Sequence, residues 1–216
     1  MKTLRFTKDG DYLRLEDYPD AAALVEIDGP RVPLLQSLSL HRVDLTLAGA
    51  ALGFIAEHSA QGPLREVLWY SAVARYFKCF QRSESRIRLE PDEVFSEADH
   101  ARGTFKYFKD LRNKHLLHDE NAYSQCLVGA VINQRQAQQK IADVVSIAVN
   151  ANSADQGHYE SFFPLLHFTH EWVVARIEAL RLEIASDLEY ESYESLLDRK
   201  PLSFCMPPAH EVSKRR

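Results

Sequence analysis

Two successive segments with helical periodicity constrain the fold of this chain more than any other feature. In the first, residues 43–58, apolar side chains recur at the spacing of one helix face, and alanine and leucine are abundant. The second, residues 63–81, begins with Pro63, which suits the first turn of a helix. The break at residues 59–63 therefore predicts a helical hairpin. The wide apolar surface of its second helix predicts burial on more than one side.

Two β-hairpins are predicted at other places in the chain. Short alternating runs at 4–6 and 12–15 flank Asp9-Gly10, a hairpin signal, within a hairpin region of about 1–30. Valine- and isoleucine-rich segments at 123–132 and 141–149 predict a second hairpin with a long connection. A helix through 134–147 is the alternative there, because Gln, Arg and Ala favour helices.

Two further helices complete the predicted scaffold. Pro91 opens an amphipathic helix over 91–111, with acidic residues in its favourable first turn. A long helix over 157–188 follows Ser153, which resembles the first residue of a capping box. The fold class is therefore mainly α, with small β-hairpin additions.

Length and composition limit the class of protein. The 216 residues suit one domain, which we place at 1–200 with a core at about 43–188 and a weakly ordered tail at 201–216. The net charge of −5 disfavours a protein that coats nucleic acid non-specifically, but it permits a small basic site. No apolar run approaches the roughly 20 residues of a membrane span, and the N-terminus lacks an apolar signal segment. We therefore expect a cytoplasmic protein without a membrane partner.

The stretch 110–119, Asp-Leu-Arg-Asn-Lys-His-Leu-Leu-His-Asp, gathers more potential catalytic groups than any other segment. A helix turns about 100° per residue, so Arg112 falls on an apolar stripe of the preceding helix. A buried guanidinium without a partner is very unfavourable. Arg112 therefore needs a carboxylate, a phosphate or a wet interface. The other residues of the stripe are Ala98, Ala101, Phe105 and Phe108.

Beside this stripe the same helix carries Arg102, Lys106 and Lys109, with Asn113 continuing the row. We call the three cations the basic ridge. A ridge of this kind is able to follow a phosphate backbone. The simpler interpretation is a solvated helix face, which is the usual role of a charge run.

Two histidines of the stretch have a spacing that occurs in metal sites. His115 and His118 are three residues apart, but no third ligand stands at motif spacing, so we expect no metal. The sequence also contains no phosphate-binding glycine loop and no nucleophile elbow. We therefore expect no cofactor.

The pattern Arg112-Asn113, four residues, then His118, at the end of a helix in a mainly helical chain, resembles the HEPN superfamily (higher eukaryotes and prokaryotes nucleotide-binding). The resemblance covers about 43–188 and is similar to toxin-type and phage-defence members. It implies a HEPN-like bundle of four to five helices that forms a homodimer with the two motifs in one cleft. It also implies a metal-independent endoribonuclease, with an antitoxin protein as a possible further partner.

The resemblance also implies roles for individual residues. His118 is the expected base or acid, Arg112 the group that binds the phosphate, and Asn113 a polar positioner. Lys114 and the basic ridge would bind the RNA backbone. On a continuous helix Arg112 and His118 lie roughly 120° apart, whereas Arg112 and His115 are neighbours, so His115 stays open as the catalytic histidine. The alternative function is a non-catalytic HEPN-like bundle that binds RNA, a nucleotide or a protein partner.

Overall fold

The structure is a computed structural model that describes residues 5–10, 12–18, 20–116, 124–151 and 153–204. It is mainly helical, with two small antiparallel sheets, so the predicted fold class is confirmed at that level. The described residues form two compact units. One takes those of Met1–Arg42, Arg82–Arg88 and Glu171–Arg216, and the other takes those of Val43–Gln81 and Leu89–His170.

Helices and strands follow the sequence prediction with several changes of boundary. The helices are α1 (Val32–Glu57), α2 (Gly62–Lys78), α3 (Pro91–Val94), α4 (Asp99–Leu111), α5 (Gln156–Leu188) and α6 (Tyr193–Leu197). A π-helix, Arg112–Leu116, continues α4. The strands are β1 (Phe6–Asp9), β2 (Tyr12–Leu15), β3 (Ser124–Ile132) and β4 (Ile141–Asn150).

The first unit contains the N-terminal hairpin and buried apolar residues that include Leu38, Val173 and Ile177, each 2% exposed or less. β1 pairs antiparallel with β2, in register Phe6↔Leu15, as predicted. Residues 82–88 form a loop, and the Ile87 carbonyl lies 2.8 Å from Nε2 of buried His41. Leu202, near the start of the segment 201–216 that we expected to be weakly ordered, donates a backbone hydrogen bond to the carbonyl of Leu24 at 2.9 Å. The remaining tail, 205–216, lies outside the described residues.

The second unit is built around an aromatic core in which α2, α4 and α5 meet. Trp69 and Phe162 pack edge-on at 5.3 Å between ring centroids, and Phe108 lies 4.9 Å from Phe162. Tyr76 is fully buried, and its hydroxyl lies 3.0 Å from Oγ1 of Thr169. Burial raises the pKa of the Tyr76 hydroxyl well above its ordinary value. This core fixes the position of α4 and of the residues at its end.

The helix predicted over 91–111 is wrong as a single helix, because the chain turns between Val94 and Asp99. The turn buries Phe95 completely against the aromatic rings of Phe80 and Phe105. A continuous helix places residue 95 on a fixed face, so burial of this ring requires the break. The gain from burying a phenylalanine, roughly 1.5–3 kcal/mol, favours the turn over an unbroken helix.

Two other boundaries also differ from prediction. α1 begins at Val32 rather than at 43, because Gly29 and Pro30 end the preceding segment and Pro33 stands in the first turn. Ser153 does not cap α5. Its buried hydroxyl has no hydrogen-bond partner among the described residues, whereas the Asp155 carboxylate accepts from the His158 backbone N–H at 2.8 Å.

The second hairpin is present, and the alternative helix through 134–147 is wrong. β3 and β4 pair antiparallel from Ser124↔Asn150 to Ile132↔Ile141. We call this pair the ribbon. Its side chains are exposed on both faces, although most of them are apolar, and Asp143 is the charged residue within its strands. The large apolar side chains exposed there are Leu127, Val128, Val131, Ile132, Ile141, Val144, Val145, Ile147 and Val149.

Among the described residues, one helix, α1, is long and apolar enough to cross a membrane by length and composition. In the structure 44% of its apolar window is buried. Core helices of soluble proteins pass the same test, so this observation does not place the protein in a membrane.

Candidate functional site

The candidate site lies where α4 gives way to a π-helix. Regular α-helical geometry ends at Leu111, and residues Arg112–Leu116 follow with the wider turn of a π-helix. Short π segments occur frequently at functional sites, because they change the direction in which side chains project. The angles expected from a continuous α-helix therefore do not apply beyond Leu111.

The predicted apolar stripe on α4 is confirmed. Ala98, Ala101, Phe105 and Phe108 are all at most 6% exposed. Arg112 continues the stripe and is half-buried, as its position predicted. The helix thus carries a cation into the edge of the core.

The partners of the Arg112 guanidinium are neutral amides. Its Nη1 donates to Oδ1 of Asn113 at 2.8 Å. The Gln81 side chain, with its amide oxygen toward Arg112, accepts from Nη1 at 3.1 Å and also from Nη2. The buried Nε atom has no acceptor within the described part of the chain. Arg112 is therefore fixed in position, while its charge is not neutralised by any described carboxylate.

A buried charge elsewhere in the same unit shows the contrast. Asp44 is 4% exposed and accepts hydrogen bonds from Arg75 at 3.4 Å and from Lys78 at 3.2 Å. Paired charges of this kind are the usual solution for a buried ion. Burial lowers the pKa of the Arg112 guanidinium from its ordinary value, but an arginine stays protonated at neutral pH. Arg112 is thus a fixed cation that is able to bind an anion.

The two candidate histidines differ in what the structure shows. His115 is 6% exposed, so its ring lies inside the second unit. His118 falls within 117–123, outside the described residues. The structure therefore locates Arg112, Asn113 and His115 together, and it gives no geometry for His118.

The predicted cations have different surroundings. Arg102 lies 3.5 Å from the Asp92 carboxylate, a surface ion pair that is expected to contribute little to stability. Lys106, Lys109 and Lys114 are exposed. Within the described ranges, no carboxylate lies within 4 Å of these three lysines. Three cations near Arg112 are therefore available to an external anion.

The sequence interpretation missed Gln81, which follows α2 and reaches Arg112 from another part of the chain. It also missed a hydrogen-bonded chain from Asp155 through His158 to Tyr107. The i, i+3 spacing of Asp155 and His158 was a visible signal for the first of these bonds. Tyr107 lies 51 residues away in sequence, so no local pattern indicated the second.

Metal ligation is not indicated by the part of the chain with known positions. Among those residues, no group of three or more His, Cys, Asp or Glu side chains is arranged to hold a metal ion. Comparison with protein-family models, curated proteins and solved structures finds no match for this chain.

Proposed function

We propose that this protein is a metal-independent endoribonuclease of the HEPN type, with Arg112 as the group that binds the scissile phosphate. The observation that carries the proposal is the guanidinium at the end of α4, which neutral partners hold in place and which meets no carboxylate among the described residues. Its neutral partners hold its orientation and leave its charge for a ligand. Arginine recognises phosphate oxygens through paired hydrogen bonds, so a phosphodiester is the anion that suits the site best.

The chemistry requires two proton transfers and a stabiliser of negative charge. The ribose 2′-OH loses a proton to a base and attacks the adjacent phosphorus. The O2′–P bond forms and the P–O5′ bond breaks, while an acid protonates the departing 5′ oxygen. The products are a 2′,3′-cyclic phosphate and a 5′-OH. Arg112 would stabilise the charge that develops on the phosphate oxygens.

His118 is the proposed base or acid, because a histidine side chain titrates close to neutral pH. His115 is buried, and a ring inside the protomer does not reach a substrate unless the chain moves. This burial favours His118 over His115 as the catalytic histidine. Asn113 is the proposed positioning residue for Arg112. Lys106, Lys109 and Lys114, with Arg102, would bind neighbouring phosphates.

A homodimer forms part of the proposal, and the ribbon supports it. Nine large apolar side chains of the ribbon are between 37% and 72% exposed. These side chains are divided between the two faces of the ribbon, so each face exposes roughly half of the 800 Å² that one partner buries in a standard interface. An isolated two-stranded ribbon is marginally stable in water, and an exposed apolar patch of a few hundred Å² often marks an interaction site. Asp143 is the charged residue of the two strands, and most of the other strand side chains are apolar, so the ribbon suits an apolar partner. A second copy of the same ribbon is such a partner.

The experiment that tests this function is incubation of purified protein with tRNA and mRNA in EDTA. Wild-type protein is expected to cut RNA, whereas Arg112→Ala and His118→Ala are expected to lose most activity. Loss of cleavage in His115→Ala with normal folding, together with full activity in His118→Ala, would show that His115 is the catalytic histidine. Uncut RNA with the wild-type protein would remove the nuclease proposal and leave a binding role.

A further inference from the structure

A second polar cluster lies in the same unit, beside the start of α5. The Asp155 carboxylate accepts a hydrogen bond from Nδ1 of His158 at 2.6 Å. Nε2 of the same ring lies 2.6 Å from the Tyr107 hydroxyl, which donates to it when Nδ1 carries the proton. Three side chains from two separate segments are thus joined in one chain, and the orientation of the Tyr107 ring is fixed by it.

The two rings of this chain are held nearly parallel to each other. The planes of Tyr107 and His158 differ by 15°, with 5.7 Å between their centroids. The buried rings of Trp69 and Phe108 pack against His158, with centroids 6.4 and 6.0 Å away. Tyr107 is nevertheless 48% exposed. A rigid aromatic face of this kind, open to solvent, is suited to stacking against another flat ring.

An open cavity of about 570 Å³ adjoins these rings. This volume is within the range of ligand-binding pockets. Two of its lining residues, Gly103 and Gly157, have no side chain, and a Cβ atom built at Gly103 meets no atom within 4 Å. Thr104 and Ser161 also line it, and their hydroxyls donate to the backbone carbonyls of His100 and Gly157 at 3.2 and 2.8 Å. Each hydroxyl oxygen keeps the capacity to accept a hydrogen bond. The cavity therefore has an aromatic wall, open space and acceptor groups that are able to bind the edge of a ring.

The charge of the cavity decides which part of a nucleotide it suits. Its described lining contains no Lys or Arg, and it includes the Asp155 carboxylate. Such a site repels a phosphate and accepts a neutral base. Lys106 precedes Tyr107 in α4 and lies about 100° around the helix from it. The basic ridge therefore provides the phosphate contacts next to the cavity.

We propose that this cavity binds one unpaired nucleobase of single-stranded RNA, stacked on Tyr107. Base stacking on aromatic side chains is a general means of binding single strands without reading their sequence. That the ligand is RNA is taken from the proposed function, so the inference rests on the proposed function in this one respect. The base site does not depend on cleavage, because binding and chemistry involve different residues.

The test is equilibrium binding of a fluorescein-labelled 2′-O-methyl octa-adenylate, which lacks the 2′-OH needed for cleavage. Tyr107→Ala is expected to weaken binding about tenfold or more, with the salt dependence unchanged, because stacking neutralises no phosphate. Tyr107→Phe keeps the ring and is expected to retain most of the affinity. Tyr70→Ala, which removes another exposed tyrosine, is the matched control and is expected to bind like the wild type.

Gly103→Leu is a second variant, chosen so that a loss of RNA binding is not explained by unfolding of the protein. Leucine favours a helix far more than glycine does, so the variant is expected to be at least as stable as the wild type while its side chain fills the cavity. Binding of the octamer is expected to fall as in Tyr107→Ala. An octamer of the same backbone without bases is expected to bind wild type and Tyr107→Ala equally.

The base site is contradicted if Tyr107→Ala and Gly103→Leu bind the octamer as tightly as the wild type. It is also contradicted if the wild type does not bind the octamer, or if Tyr107→Ala weakens the base-free chain equally. Absence of RNA cleavage in EDTA bears on the nuclease proposal alone. Loss of octamer binding in Tyr107→Ala would support the base site even then.

Discussion

Nη1 of Arg112 donates a hydrogen bond to Oδ1 of Asn113 at 2.8 Å, so the arginine is held by the residue that follows it in sequence. Gln81 holds the same guanidinium from the end of α2. Neither partner carries a charge, in contrast to Asp44, which is paired with two cations. Within the described ranges no carboxylate offsets this half-buried cation, and an anionic ligand would supply the opposite charge.

The neutral character of Gln81 is expected to matter for activity. Gln81→Glu places a carboxylate against Arg112 and neutralises it, so RNA cleavage is expected to fall about 10²–10³-fold, as when a charge-stabilising donor is removed. The melting temperature is expected to stay equal or rise. Gln81→Leu removes the hydrogen bonds without adding charge and serves as the matched variant. Equal activity of wild type and Gln81→Glu would contradict the role of the free charge.

Lysines of the basic ridge are expected to contribute to RNA binding through phosphate contacts. Lys106→Ala and Lys109→Ala are each expected to reduce the slope of log Kd against log salt concentration by about 1. Lys140→Ala, an exposed lysine at the turn of the ribbon, is the control and is expected to keep the slope. The measurement is fluorescence anisotropy with the 2′-O-methyl octamer. Unchanged slopes in both ridge variants would show that this face is only solvated.

Stability near Asp155 is expected to depend on pH. Burial alone would raise the pKa of Asp155, but the hydrogen bonds from His158 outweigh it and lower that pKa below its ordinary value. A carboxyl group of this kind stabilises the fold above the unfolded-state pKa of about 3.9, and the contribution is lost as pH falls through the folded-state pKa. Asp155→Asn is therefore expected to melt below wild type at pH 7, with the difference between the two melting temperatures shrinking as the pH falls below about 3.9.

Asp155→Ala tests a second role of the same residue, the capping of the first turn of α5. Alanine loses the bond to the His158 backbone N–H, so the variant is expected to be about 1 kcal/mol less stable than wild type at pH 7. Asparagine retains a side-chain oxygen that caps nearly as well. Thermal unfolding of the three proteins at pH 7, 5 and 3 measures both effects. A constant difference between wild type and Asp155→Asn at all three values would contradict the assigned pKa direction.

The ribbon is expected to mediate self-association. Val128 and Leu127 project from opposite faces of β3 and are 72% and 55% exposed. Val128→Asp and Leu127→Asp are each tested by sedimentation velocity, and at least one is expected to convert a dimer to a monomer. Leu182→Asp changes a similarly exposed residue on α5 and is expected to stay dimeric. A wild-type protein that is monomeric at micromolar concentration would contradict the dimer.

Periodicity predicted the parts of the fold in which one local signal dominates. The stripe on α4, the two hairpins and the long α5 all follow from the spacing of apolar residues. Periodicity did not predict the break before α4, because the burial of Phe95 depends on tertiary contacts with the rings of Phe80 and Phe105. The same applies to Gln81 and Tyr107, whose contacts cross 31 and 51 residues. The π-helix was not predicted, since an α-helical pattern does not encode a local widening.

The most direct test of the proposed chemistry is the identity of the ends that cleavage leaves. Mass spectrometry of RNA cut in EDTA is expected to find 2′,3′-cyclic phosphate and 5′-OH termini. Arg112→Ala and His118→Ala are expected to lower the rate of their formation by about 10²–10³-fold or more. The absence of cleavage, 3′-OH and 5′-phosphate ends, or equal rates in wild type and both variants would contradict the account.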